Sequence, residues 1–305
     1  MSEAKPQTSS FEKDLCGIAD LHRFGHAAMA ATFEVFVVHQ DAVYAGQAAR
    51  AVFEELDRIE ANLSRFLENS DVSRINSLGK SRPLQIGLTT FECLKISIEM
   101  SKQTNGAFDI TFGSLHRGSN LMKLNEADHT IELLTDGVQL DLGAIGKGYA
   151  ADKMGQLLAD WGIKTALVSA GQSTILPIGT STGLSGWPLT LSDPGDYSRL
   201  LAKIHLSGRA ISASGIRKGP HIINPRSGKS AARPGAWALA QTAAEADALS
   251  TAFMVMPVNE IKAFCSTHPD VSALLVTRGK NKNSANRISR FGIWDEFTSL
   301  PAAPP

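Results

Sequence analysis

Residues 141–152 read Asp-Leu-Gly-Ala-Ile-Gly-Lys-Gly-Tyr-Ala-Ala-Asp, and this stretch constrains the fold more than any other part of the chain. The alternating run Val138-Gln139-Leu140 before it predicts a strand over 138–142. Tyr149, Met154, Leu157, Leu158 and Trp161 follow at helical spacing and predict a helix over 147–161. Between them, Gly143, Gly146 and Gly148 surround Lys147. A strand, a glycine-rich turn and a helix N-terminus together make an anion site. The first-turn N–H groups have no intrahelical partner, and glycine admits a ligand close to the backbone. Lys147 adds a full positive charge. The pattern is not a P-loop, since its Gly146-Lys147 is followed by Gly148 and not by Ser or Thr, and it is not GxGxxG. Spacing alone leaves two readings open: a phosphate site, or a tight turn that packs a helix on a sheet.

The rest of the chain mixes strands and helices without strict alternation. Thr32–His39 is β-branched and aromatic, hence a strand. Val52, Leu56, Ile59 and Leu63 line one face of a helix over 44–63, and Phe91, Leu94 and Ile98 do the same over 91–102. Asn105-Gly106 closes that second helix in a left-handed cap. Short strands are predicted at 130–134, 165–169, 188–192, 202–206, 210–213, 237–242 and 272–276, and helices at 243–256 and 258–266. Residues 1–24 and 299–305 read as a loosely ordered segment and a flexible tail around one domain at 25–298. The class is α+β, mixed helix with largely antiparallel sheets.

Composition narrows function mainly by exclusion. Lys plus Arg equals Asp plus Glu at 30 each, without the basic excess expected of a nucleic-acid-binding domain. No apolar run approaches the ~18 residues of a membrane span. The first residues, with Glu3, Glu12 and Asp14 and no apolar core, do not read as a signal peptide, so the expectation is a cytoplasmic protein. Cys16, Cys93 and Cys265 are too far apart for a zinc spacing or a disulfide framework.

Three further segments can carry chemistry. Thr104 to Asp109 is either a cap and turn or a ligand loop. Ser212-Ala-Ser-Gly215, with His221 to Gly228, is either a hairpin or a hydroxyl-rich loop placing Arg217, Lys218, His221 and Arg226 near an anion. Asp247 and Thr251 stand at i and i+4 on one helix face, which offers hard oxygen donors of the kind Mg²⁺ accepts. The alternative for Asp247 is an acidic residue favoured by the helix dipole.

Taken together and in order, these segments resemble the FAD:protein FMN transferase (ApbE) family. The resemblance runs from Met29 to about Met256. It rests on Met29-Ala-Ala-Thr-Phe33, Leu63-Ser-Arg-Phe66, Ser70 to Asn76, Asn105 to Asp109, Asp141 to Asp152, Ser169-Ala-Gly171, Ser212 to Gly215, His221 to Gly228 and Glu245 to Thr251. It implies an ApbE-like, T-fold-like architecture. It also implies a Mg²⁺-dependent reaction in which FAD is the substrate, its FMN half passes to a Ser or Thr hydroxyl in a motif of an acceptor flavoprotein, and AMP is released. The implied metal ligands are the Ala144 carbonyl, Asp247 and Thr251, with Ser250 beside them. The implied flavin contacts are Met29, Phe66, Ala107, Phe108, Asp109, Asp141, Lys147 and Ile223, and the candidates for the base are His221 and Asp247. Two other readings are an FAD-binding protein without transfer and a Mg²⁺-dependent FAD pyrophosphatase.

The sequence departs from the family pattern in three places. Met-Gly-Thr becomes Met29-Ala30-Ala31, a glycine of Asn-Ala-Gly-Gly-Asp becomes Gln172, and the Asp of Asp-Pro becomes Asn224.

Overall fold

The computed structural model describes residues 15, 17–80, 82–111, 114, 117–180, 183–194, 196–217, 219, 221–279, 286–294 and 298–299. Its centre is an eight-stranded sheet in the order β1-β2-β6-β7-β10-β11-β12-β13. These strands are β1 (Leu21–Ala28), β2 (Ala31–Val38), β6 (Ala166–Ala170), β7 (Thr174–Ile178), β10 (Ala210–Gly215), β11 (Gly235–Ala240), β12 (Ser272–Thr277) and β13 (Arg287–Phe291). Every neighbouring pair is antiparallel. One small sheet joins β3 (Leu84–Gln85), β4 (Met122–Asn125) and β5 (Thr130–Leu133). A second joins β8 (Trp187–Asp193), β9 (Asp196–Leu206) and β14 (Thr298–Ser299). The helices are α1 (Ala42–Leu63), α2 (Asp71–Asn76), α3 (Leu88–Gln103), α4 (Gly146–Asp160), α5 (Ala243–Val255) and α6 (Val258–Thr267).

Alternation along the central strands buries apolar side chains on both faces of the sheet. On β11, Ala236, Ala238 and Ala240 face the helices, while Trp237 and Leu239 face the β8–β9 sheet. The helix side of this strand is small, and α5 meets it with Ala243, Ala244, Ala246, Ala248 and Ala252, all buried. Small residues on both surfaces let the helix lie close to the sheet, and this close seat carries Asp247.

The predicted helices form within one to three residues of their expected ends. Asn105 and Gly106 take φ of 50° and 73°, and the Gly106 N–H bonds back to the Ser101 carbonyl, which is the expected left-handed cap. The ends of the chain differ from expectation. Leu21–Phe24, read as part of the loose N-terminal segment, pair with Val35–Val38 in β1, and Ser299 with Thr298 pairs with Lys203 and Ile204. The short strands β3, β4 and β14 are unpredicted, and so are three strands of the central sheet. Two of these, β1 and β13, are sheet edges with mixed exposure, so their apolar alternation is weak. A third, β7, contains Pro177. The strand accommodates it because pairing with β10 is confined to Thr174 and Ile175. Lys218, Cys16, residues 1–14 and residues 300–305 lie outside the described residues.

Candidate functional site

The glycine-rich turn is entered by an extended segment that is not a strand, contrary to expectation. Among the described residues, 138–142 has no ladder partner. Asn76, the last residue of α2, stands in for one. Its Oδ1 accepts from the Leu140 N–H at 2.6 Å and its Nδ2 donates to the Leu140 carbonyl at 3.0 Å. The Gln139 N–H goes to Ser114 Oγ and the Asp141 N–H to the Ile110 carbonyl. A side-chain amide therefore satisfies buried backbone groups that a neighbouring strand would otherwise satisfy.

Beyond the turn, α4 crosses α5 so closely that Gly148 lies against the backbone of Ala243 and Ala244, with no room for a Cβ. This contact places the first turn of α4 beside Asp247, whose side chain is buried. The Asp247 Oδ2 accepts from the Gly148 N–H at 3.1 Å and lies 3.5 Å from Lys147 Nζ, which also donates to the Gly143 carbonyl at 3.3 Å. The Gly148 N–H is one of the unpaired donors of a helix start, and a carboxylate from 99 residues away takes it. In consequence its i−4 position, the Ala144 carbonyl, accepts no hydrogen bond among the described residues.

The other Asp247 oxygen, Oδ1, accepts from Ser212 Oγ at 3.2 Å. Thr251, one turn along α5, has its hydroxyl 3.1 Å from Ser214 Oγ, and Ser250 Oγ lies 2.8 Å from the same serine. One carboxylate, two hydroxyls and a carbonyl without a donor are hard oxygen ligands that suit Mg²⁺, which keeps waters and needs few protein ligands. Among the described residues no group of three or more His, Cys, Asp or Glu side chains converges, as a nitrogen- or sulfur-rich transition-metal site would need.

The residues expected at the flavin are spread around this centre on loops. Met29 packs its Cε near Gly146, and Ala31 packs against Gly171, where Lys147 Cδ also lies. Asp141 is exposed. It closes a turn onto the Gly143 N–H and pairs with Arg65 at 3.3 Å. The Arg65 guanidinium in turn lies over the ring of Phe66, which is 80% exposed. Arg65 thus links two expected flavin residues, and the sequence reading did not assign it to the site. Ala107 and Phe108 are buried in the core, and Asp109 accepts from Thr111 through both its backbone and hydroxyl donors. His221 is exposed, with Nδ1 at 2.8 Å from the Gly219 carbonyl. Among the described residues it makes no hydrogen bond to Asp247 or Lys147.

Arg226 is taken up by protein partners and is not held ready for a ligand anion. It donates to the Thr104 and Asn105 carbonyls and pairs with Glu260, tying the loop of His221 and Ile223 to the loop of Asp109. Asn224 accepts from the Arg226 N–H at 2.9 Å through its side-chain oxygen, as an aspartate would, so that departure leaves the turn intact.

Asp152 was legible only as the end of the glycine motif. Its carboxyl, projecting from α4, accepts from the N–H groups of Ala243 and Ala244 at 2.7 and 2.9 Å and so caps the helix that carries Asp247. Burial pushes this carboxyl up to about 6, against the lowering effect of the two amide donors.

Comparison with known proteins identifies the family and the fold. The model of the ApbE family matches residues 29–275, and the chain belongs to that family. An FAD:protein FMN transferase of Treponema pallidum is 27% identical over 81% of this chain and 82% of its own. The protein of the same name from Buchnera aphidicola (Schizaphis graminum) is 25% identical over 74% of this chain and 78% of its own. Among solved structures, the flavin transferase ApbE of Vibrio cholerae superposes with a TM-score of 0.78 at 20% identity, covering 89% of this chain and 97% of that one. The ApbE protein of Thermotoga maritima gives 0.78 at 24% identity with the same coverage.

Proposed function

We propose that this protein transfers the FMN half of FAD to a Ser or Thr hydroxyl of a target protein and releases AMP, with Mg²⁺ held by the Ala144 carbonyl, Asp247 and Thr251 beside Ser250. One observation carries the reading. Asp247 takes the Gly148 N–H and so leaves the Ala144 carbonyl, one helical turn back, without a donor among the described residues, while Ser250 and Thr251 follow Asp247 on the same helix. Mg²⁺ bound there would supply charge to the pyrophosphate oxygens, offsetting the negative charge that gathers in phosphoryl transfer. Lys147, half-buried at the mouth of the turn, binds a phosphate oxygen, and the Arg65, Phe66 and Asp141 cluster receives the flavin end.

The acceptor oxygen forms a bond to the FMN phosphorus, the bridging P–O bond breaks, and AMP leaves with that oxygen. The hydroxyl proton goes to His221. Asp247 already spends Oδ1 on Ser212 and Oδ2 on Gly148, whereas the His221 imidazole is exposed.

The test is incubation of the purified protein with FAD, Mg²⁺ and a candidate acceptor carrying a Ser/Thr motif. In-gel flavin fluorescence on the acceptor with stoichiometric AMP is the expected result. FMN and AMP with an unlabelled acceptor would assign the protein as a pyrophosphatase, and intact bound FAD would make it a flavin store.

A further inference from the structure

Strand β10 carries Ser212 and Ser214 two residues apart, hence on one face of the sheet, and that face meets α5. Ser212 is fully buried and touches Asp247 Oδ1, Ser250 Oγ at 3.5 Å and Thr174 Oγ1 of β7 at 2.8 Å. Ser214 touches Ser250 and Thr251. A hydroxyl has one proton to donate, and this fixes the direction of each bond. The carboxylate can only accept, so the Ser212 proton goes to Asp247, and Thr174 must donate to Ser212. The Ser250 proton is taken by the Asp247 main-chain carbonyl at 2.9 Å, so Ser214 donates to Ser250. Ser214 then has only lone pairs to offer Thr251, and Thr251 donates to it. Two one-way chains result, Thr174 to Ser212 to the Asp247 carboxylate, and Thr251 to Ser214 to Ser250 to the Asp247 carbonyl.

We infer that Ser212 and Ser214 are positioning residues for the metal-ligating set of α5. The inference rests on the metal reading proposed above. A hydroxyl ligates a cation only through a lone pair, and Ser214 draws the Thr251 proton away from the side on which a cation would sit. Ser212 fixes the carboxylate plane by holding Oδ1, which leaves Oδ2 facing the turn at Ala144 and Gly148. Partners of this kind orient metal ligands, and their loss costs about 10–100-fold in metal affinity. The Ser-x-Ser spacing accounts for both contacts at once, since any residue between them points to the opposite face.

The experiment measures Mn²⁺ binding to FAD-free protein by electron paramagnetic resonance, alongside thermal melting of each variant. Ser212→Ala and Ser214→Ala are each expected to raise the Mn²⁺ Kd about tenfold. Ser214→Thr, which keeps the hydroxyl, is expected to bind within twofold of wild type, a rescue that a purely structural serine would not require. Thr174→Val, which removes the donor behind Ser212, carries the test of the first chain if Ser212→Ala does not fold. Asp247→Ala is expected to lose binding. Wild-type Kd in Ser212→Ala and Ser214→Ala with binding lost in Asp247→Ala would overturn the positioning role and leave the metal reading standing. Wild-type Mn²⁺ affinity in Asp247→Ala would remove both.

Discussion

Asp247, Ser250 and Ser212 are at most 3% exposed and sit on a helix and a central strand, whereas Phe66, Asp141 and His221 lie exposed on loops. The first group is joined by hydrogen bonds that would hold with no ligand bound. The second is joined by one exposed arginine, Arg65, and by backbone turns. The difference is one of preorganisation. Ligands for a small cation must be placed within a fraction of an ångström, and rigid elements do that better than loops. A flavin nucleotide and an acceptor protein must enter and leave, so the residues that meet them stay on segments that can adjust.

The comparison is broken most directly at its buried side. Asp247→Ala is expected to abolish Mg²⁺-dependent FAD cleavage, read as AMP release, with the far-ultraviolet circular dichroism unchanged; cleavage at the wild-type rate would remove Asp247 from the metal. Next in size is Gly148→Ala, which forces a methyl into the Ala243 backbone. Overpacking of this kind costs about 3 kcal/mol, and chemical denaturation should show it. An unchanged midpoint would mean that α4 and α5 can separate freely, and that the Asp247 seat is not rigid.

The cap beneath that seat gives a pH signature. The Asp152 carboxyl is raised from 3.8 to about 6 in the folded protein, so the folded state binds the proton more tightly than the unfolded chain. The stability this provides is full below pH 3.8 and is lost as pH rises through about 6, a change of roughly 3 kcal/mol at most. Asp152→Asn is expected to flatten the fall in melting temperature across that window. An identical slope in the variant would mean that other groups set it. On the loop side, Lys147→Ala should weaken FAD binding about tenfold through one lost charge-assisted contact, measured by fluorescence titration. Unchanged affinity would reduce Lys147 to a partner of Asp247 alone.

The same division decides what was legible in the sequence. The helix of Asp247 announced itself by an alanine-rich apolar run and by the i, i+4 placement of Asp247 and Thr251, because a regular element repeats its geometry. The strand expected at 138–142 shows the limit of that logic. Val138, Leu140 and Leu142 alternate with more exposed residues and are buried as a strand's would be, but the Leu140 backbone is satisfied by the side chain of Asn76, 64 residues upstream, and not by a neighbouring strand. Periodicity reports burial, and it cannot report which group accepts the hydrogen bond. Arg65, Asp152 and Ser212 escaped assignment for a related reason. Each acts through a partner distant in sequence, and no local pattern encodes such a pairing.

The smallest expected effect lies at the two hairpin tips on the loop side, and it concerns glycines that the family has and this chain lacks. Met29 and Ala30 join β1 to β2 with φ of 52° and 55°, the two-residue turn in which both central residues are left-handed. Gln172 follows Gly171 between β6 and β7 with φ of 60°. Ala30 and Gln172 therefore keep the backbone conformation that glycine adopts without penalty, at a cost of about 1–2 kcal/mol each. Restoring glycine removes that strain and returns about 0.5–1 kcal/mol of unfolded-state entropy. Ala30→Gly and Gln172→Gly are thus expected to raise stability by about 0.5–1 kcal/mol each, or about 2 °C in Tm. Because both positions are exposed and outside the hydroxyl chains, Mn²⁺ affinity should stay at the wild-type value while FAD affinity moves. A shift in Mn²⁺ binding would show that the two halves of the site are mechanically coupled through Ala31, Gly171 and Lys147, the three residues that touch where they meet.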